Sequence, residues 1–199
     1  AFQDSNITSI TIPGTVKTIG HSAFMNCQRL KSVTIPNSVS KIDAFAFWGN
    51  TKLSSVTLGK GLKTIGEEAF ADCRNLTSIS IPDNVTSLGE SVFMNCDKLK
   101  NVRLSASLKT LPSWTFEDCK KLVTVTIPKN AKIKTVGKYA FSGCKSLKKL
   151  SLPKSVTSIK EYAFGDCRAL KVLTLNSKKA PKLQSWRVFC ECKTAKMTI

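Results

Sequence analysis

The chain has 199 residues and a formal net charge of +18, from 31 Lys and Arg against 13 Asp and Glu. Its 42% hydrophobic content and mean hydropathy of −0.05 allow a continuous core and exclude a disordered composition. Apolar runs of only a few residues exclude a bilayer-spanning helix, and a single histidine without any C-x-x-C pair excludes a repeated catalytic or zinc site. No catalytic residue, cofactor or metal is expected.

Taken in chain order, Ala1-Phe2 reads as the tail of a partial repeat, because the same dipeptide returns at Ala23-Phe24. Phe24, Phe47, Phe70, Phe93, Phe116, Phe141, Phe164 and Phe189 follow at intervals of 23 residues, with two intervals of 25 before Phe141 and Phe189. A fixed period of this kind marks a solenoid, here one array over residues 1–199 with about eight repeats and an atypical last one. Within a repeat, Val33 and Ile35 alternate with Ser32 and Thr34, which predicts a short strand with one buried face. Pro13, Pro36, Gly59, Pro82, Pro128 and Pro153 then close the strands, since proline lacks the ladder donor. The pairs Val16/Ile19, Val39/Ile42, Leu62/Ile65 and Val85/Leu88 are three apart, as are Phe and Cys in Ala-Phe-x-x-Cys, and this spacing predicts short helical turns. The expected fold is an α/β repeat solenoid, a curved array with short parallel strands on its concave face and short helical turns on its convex face.

Cys27, Cys73, Cys96, Cys119, Cys144, Cys167 and Cys192 each lie three residues after the repeat phenylalanine, and Asn50 takes that place in the second repeat. One register position in every repeat suits a small buried group, so free thiols are expected rather than bridges. Cys190, off the register, is the candidate exposed thiol.

Read together, these positions give L-x-x-V-T-I-P-x-x-V-x-x-I-G-x-x-A-F-x-x-C-x-x-L, a pattern that resembles the Treponema pallidum class of leucine-rich repeat, also called BspA-like. The resemblance covers essentially the whole chain. The last repeat departs from it, with Ala180-Pro181-Lys182-Leu183 before Phe189 and a closing Met197-Thr198-Ile199. It implies a non-catalytic recognition module of a secreted or surface-exposed microbial protein, extracellular or at the cell surface. Adhesion to host extracellular-matrix proteins, to other microbes or to host receptors is the implied role.

Three columns could carry binding. In the strands, every second residue points outward, in ladders that read Ser9, Ser32, Ser55, Ser78 and Thr11, Thr34, Thr57, Ser80. Asn101, Arg103, Lys149 and Val172 break those ladders and are the concave-face candidates. Phe45, Trp114, Tyr139 and Tyr162 precede Ala-Phe and suit either packing between repeats or a stacking platform. A basic edge gathers Lys98, Lys100, Lys120, Lys121, Lys145, Lys148, Lys149, Arg168, Lys171 and Lys193. Residues 100–199 carry a net of +17 and residues 1–99 only +1, so an acidic partner would meet the second half. An anionic polysaccharide such as a glycosaminoglycan is the alternative partner, an intracellular scaffold the other reading. Specific nucleic-acid binding is not expected without aromatic-plus-basic motifs. Oligomeric state is not encoded in these patterns.

Overall fold

A computed structural model describes residues 1–177, 179–192 and 196–198. Each repeat forms one coil that passes through a longer strand, a proline turn, a two-residue strand and the Ala-Phe-x-x-Cys turn. The longer strands are Ser32–Thr34, Ser55–Thr57, Ser78–Ser80, Asn101–Arg103, Thr124–Thr126, Lys149–Leu152, Val172–Leu175 and Lys196–Thr198. The two-residue strands are Thr18–Ile19, Lys41–Ile42, Thr64–Ile65, Ser87–Leu88, Thr110–Leu111, Thr135–Val136, Ser158–Ile159 and Lys182–Leu183. Every pairing is parallel and in coil register, as in Ser78↔Asn101↔Thr124 and Ile19↔Ile42↔Ile65.

This is a parallel β-solenoid, and the expectation of an α/β solenoid with helical turns is overturned. Among the described residues the one helical element is the 3-10 turn Trp186–Phe189, which Ser185 caps by accepting from the Arg187 N–H. Two features deny the helix. First, left-handed residues stand immediately before the Ala-Phe-x-x-Cys turn and within it, the column before it being Ser22, Phe45, Glu68, Ser91, Trp114, Tyr139 and Tyr162. The other is Asn26, Gly49, Asp72, Asn95, Asp118, Gly143, Asp166 and Glu191, and φ lies between 49° and 71° throughout both. A right-handed helix cannot run through such residues. Second, the backbone donors leave the coil. Phe45, Phe47 and Gly49 donate to Glu67, Ala69 and Ala71 of the next coil at 2.8–2.9 Å. Trp48 closes a tight turn on the Phe45 carbonyl at 3.0 Å, so the i→i−4 ladder of a helix never forms. The Val39/Ile42 spacing has a similar origin: Val39 donates to the Pro36 carbonyl in a turn, and Ile42 then sits in the second strand.

Inside the coils runs an unbroken stack of phenylalanine rings from Phe2 to Phe189, with successive centroids 5.1–5.8 Å apart. Phe47, Phe70, Phe93, Phe116, Phe141 and Phe164 are fully buried among strand Val, Ile and Leu residues. Close backbone approach explains Gly89, where a Cβ would stand 2.2 Å from the Glu67 nitrogen.

All eight cysteines carry free thiols. Cys73, Cys96, Cys119, Cys144 and Cys167 are buried, and each donates its S–H to the Phe carbonyl one coil earlier at 3.0–3.3 Å. Cys190 is partly exposed as expected, but so is Cys192. Asn50 imitates the thiol imperfectly. Its amide donates to the Phe24 and Phe47 carbonyls at 2.8 Å each, while its buried Oδ1 has no partner. An unsatisfied buried acceptor costs about 1–3 kcal/mol, so Asn50→Cys is expected to stabilise the fold by about 1 kcal/mol in denaturant titrations. A lower unfolding midpoint for the variant would contradict this account of the register.

Candidate recognition surface

Period-two alternation turns Val33, Ile79, Val102, Leu150 and Leu173 inward and their neighbours outward. The outward hydroxyls of Ser32, Thr34, Ser55, Thr57, Ser78 and Ser80 are exposed. Thr–Thr pairing across a sheet can occupy such groups, but none of these six takes a hydrogen bond among the described residues, so they are open to water or a ligand.

Asn101 and Arg103 share one strand, and Lys149 and Val172 lie in register on two adjacent strands beyond it. Thr124 and Thr126 intervene. Arg103 is anchored: its guanidinium meets Asp83 twice, at 2.8 and 3.1 Å, and also donates to the Ile81 carbonyl at 3.2 Å. Asp83 also accepts from the Ala106 N–H at 2.9 Å. Arg103 first, and that N–H second, hold the Asp83 carboxyl below the ordinary carboxylate range. Both partners are exposed, so the pair contributes little stability. Its effect is to fix the guanidinium at the rim of a groove of about 630 Å³, lined by Ser55, Thr57, Ser78, Ser80 and Lys60.

The basic edge is less uniformly cationic than its sequence. Lys120 is bound to Asp97 at 2.9 Å, Lys145 to Asp166 at 3.4 Å, and Arg168 also pairs with Asp166. Among the described residues Lys98, Lys100, Lys121, Lys148, Lys149 and Lys171 have no carboxylate partner. Lys193 lies outside the described residues. Sequence reading passed over Val123, which is exposed although its column holds Lys100 and Lys148, and Trp186, which is 81% exposed. An apolar residue in a lysine column was the available signal for the first. The second sits in the divergent last coil.

The aromatic column forms a second stack, Trp114 to Tyr139 at 6.2 Å and Tyr139 to Tyr162 at 4.8 Å. Lys138 lies over Tyr139 and Arg187 over Tyr162, and both reach Glu161 at 3.5–3.6 Å. These rings pack on one another, with the Tyr139 ring held between its two neighbours. His21 is exposed, with Nδ1 3.0 Å from the Ser22 hydroxyl. Among the described residues no three His, Cys, Asp or Glu side chains converge as metal ligands would. No helix among them is long and apolar enough to cross a membrane.

A family model described as a BspA type leucine rich repeat region of six copies matches residues 1–123 and again 88–199. The chain belongs to the BspA-type leucine-rich repeat family. A leucine rich cell surface protein from Faecalibacterium prausnitzii A2-165 is 32% identical, with a TM-score of 0.80 over 90% of this chain and 50% of its own. A leucine-rich repeat protein from Eubacterium ventriosum is 26% identical, with a TM-score of 0.77 over 96% of this chain and 60% of its own. The T. pallidum leucine rich repeat protein, 27% identical, aligns over 70% of this chain and 78% of its own at a TM-score of 0.54. This BspA-type array thus spans 50–60% of the length of the first two structures. No curated protein matches it. As a BspA-type repeat array the chain is a protein-interaction module, and arrays of this family are typically non-catalytic.

Proposed function

We propose that this BspA-type array is the recognition part of a microbial surface protein, an adhesin that engages host matrix proteins or receptors through the outward face of its longer strands. The observation that supports this reading is the groove beside Arg103. A fixed guanidinium there stands among hydroxyls without protein partners, and one strand beyond it, past Thr124 and Thr126, a strand pair presents Lys149 and exposed Val172. Arginine with a few apolar anchors is the composition that concentrates energy at protein interfaces. The relative described as a cell surface protein supports the location. The test is interferometry against immobilised matrix proteins and receptor ectodomains. A partner should bind, and the triple variant Arg103→Ala, Lys149→Glu, Val172→Asp should weaken it by about tenfold or more. Silence across the panel, or an equal loss from Thr86→Glu beside the two-residue strand Ser87–Leu88, would refute the assignment.

The six unpaired ammoniums of the basic edge favour a second reading, retention of a linear polyanion such as a glycosaminoglycan. If six anionic groups are neutralised, log K should fall against log salt with a slope of about −4. Elution from heparin near physiological salt would remove this second reading.

A further inference from the structure

A separate concentration of positive charge lies at the other end of the longer strands, on the proline turn. There a cavity of about 540 Å³ is lined by Lys109, Lys129, Lys132, Lys134, Lys154 and Ser155, and no Asp or Glu lines it. Among the described residues none of these five ammoniums has a carboxylate within ion-pair distance. That differs from the basic edge, where aspartates already hold three of the cations.

The arrangement runs against what the sheet alone favours. Like charges opposite one another on adjacent strands destabilise, and the earlier coils avoid them: the column before the two-residue strand runs Lys17, Ser40, Lys63, Thr86. It then places Lys109 and Lys134 on neighbouring coils, joined by a 2.9 Å backbone hydrogen bond. The position after the turn proline repeats this with Lys129 and Lys154, where earlier coils carry Asn37, Lys60, Asp83 and Ala106. Lys129 and Lys154 also line an adjoining hollow of about 330 Å³.

The two residues that lengthen this coil fall in the same turn, and they are pinned. Ala131 donates to the Pro128 carbonyl at 2.9 Å and Lys132 to the Ala106 carbonyl at 3.2 Å. The Ser155 hydroxyl lies 2.9 and 2.8 Å from the Ala131 and Ile133 carbonyls. Ala131 and Ile133 are buried, so a firmly held backbone presents Lys129, Lys132 and Lys134. We propose that this turn is a binding site for a compact anion carrying two or more phosphate or sulfate groups. Ammoniums from three successive coils, spaced by the ~4.8 Å strand repeat, can grip several anionic groups at once, where a monoanion would meet only one or two. Firm placement reduces the entropy lost on binding.

Isothermal titration at low salt with two probes, inorganic tripolyphosphate and a trisulfated heparin disaccharide, tests the site. At least one probe should bind with one-to-one stoichiometry, and the stronger of the two identifies phosphate or sulfate as the favoured source. Lys129→Glu with Lys154→Glu should weaken that binding by about tenfold or more, with an unchanged circular dichroism spectrum. Lys17→Glu with Lys52→Glu makes the same change in net charge elsewhere and should leave the affinity within about twofold. Failure of both probes, or an equal loss from the two variants, would overturn the proposal.

Discussion

Phe93→Ala is expected to melt about 10 °C below the parent chain and in two resolved steps. The Phe93 ring is fully buried, with the Phe70 centroid at 5.8 Å on one side and that of Phe116 at 5.6 Å on the other. Truncating such a ring costs about 3–5 kcal/mol through lost burial and the cavity left behind. For a chain of this length each kcal/mol lowers the midpoint by about 2–4 °C. The second step has a different cause. In a solenoid each coil contacts only its neighbours, so cooperativity passes through every interface in series. A gap in the ring stack uncouples the coils before it from those after it. Calorimetry showing one sharp, unshifted transition would contradict the stack as the carrier of cooperativity.

Raising the pH to about 10 under reducing conditions is expected to unfold the chain. Burial pushes the Cys73, Cys96, Cys119 and Cys144 thiols well above their ordinary value. The neighbouring Cys192 thiol, and then burial, push Cys167 up as well. A raised folded-state pKa means that stability is fully present below the unfolded-state value of about 8.5 and drains away as the pH climbs from there toward the folded-state value. At pH 10 each of the first four thiols has lost about 2 kcal/mol, together about 8 kcal/mol, against a total of about 5–15 kcal/mol for an ordinary domain. Lysine deprotonation acts in the opposite sense, relieving the self-repulsion of a +18 chain. The thiol contribution is isolated by Cys73→Ala with Cys119→Ala. That variant should be less stable at neutral pH, yet its alkaline limb should be shallower by about 1.4 kcal/mol per pH unit for each thiol removed. Parallel limbs in the two proteins would sink this explanation.

The strands and the register core were legible because each leaves a periodic trace: alternation at Val33 and Ile35, and a ring and thiol at fixed offsets. The helical turns were misread because a spacing of three fits two successive tight turns as well as a helix. The residue just before the register position of Cys27 to Cys167, filled once by Asn50, carried the correction. Asn26, Gly49, Asp72, Asn95, Asp118, Gly143 and Asp166 form a column of the types that tolerate left-handed backbone. At the candidate surface, Arg103 stood out as a break in a hydroxyl ladder, but its partner Asp83 lies 20 residues earlier and across a coil. No local pattern connects them. The lysines of the proline turn were hidden by the lengthened coil, which displaces Lys132 and Lys134 from the offsets used to compare repeats.

The hydrogen bonds that replace the helix run from coil to coil, along the axis of the stack. A pull on the two ends of the chain would therefore load them one coil at a time, like a zipper, instead of shearing many together. Each coil of 23 residues that lets go pays out about 80 Å of extended chain. Such an array lengthens in steps under load and gives up its coils singly instead of failing all at once.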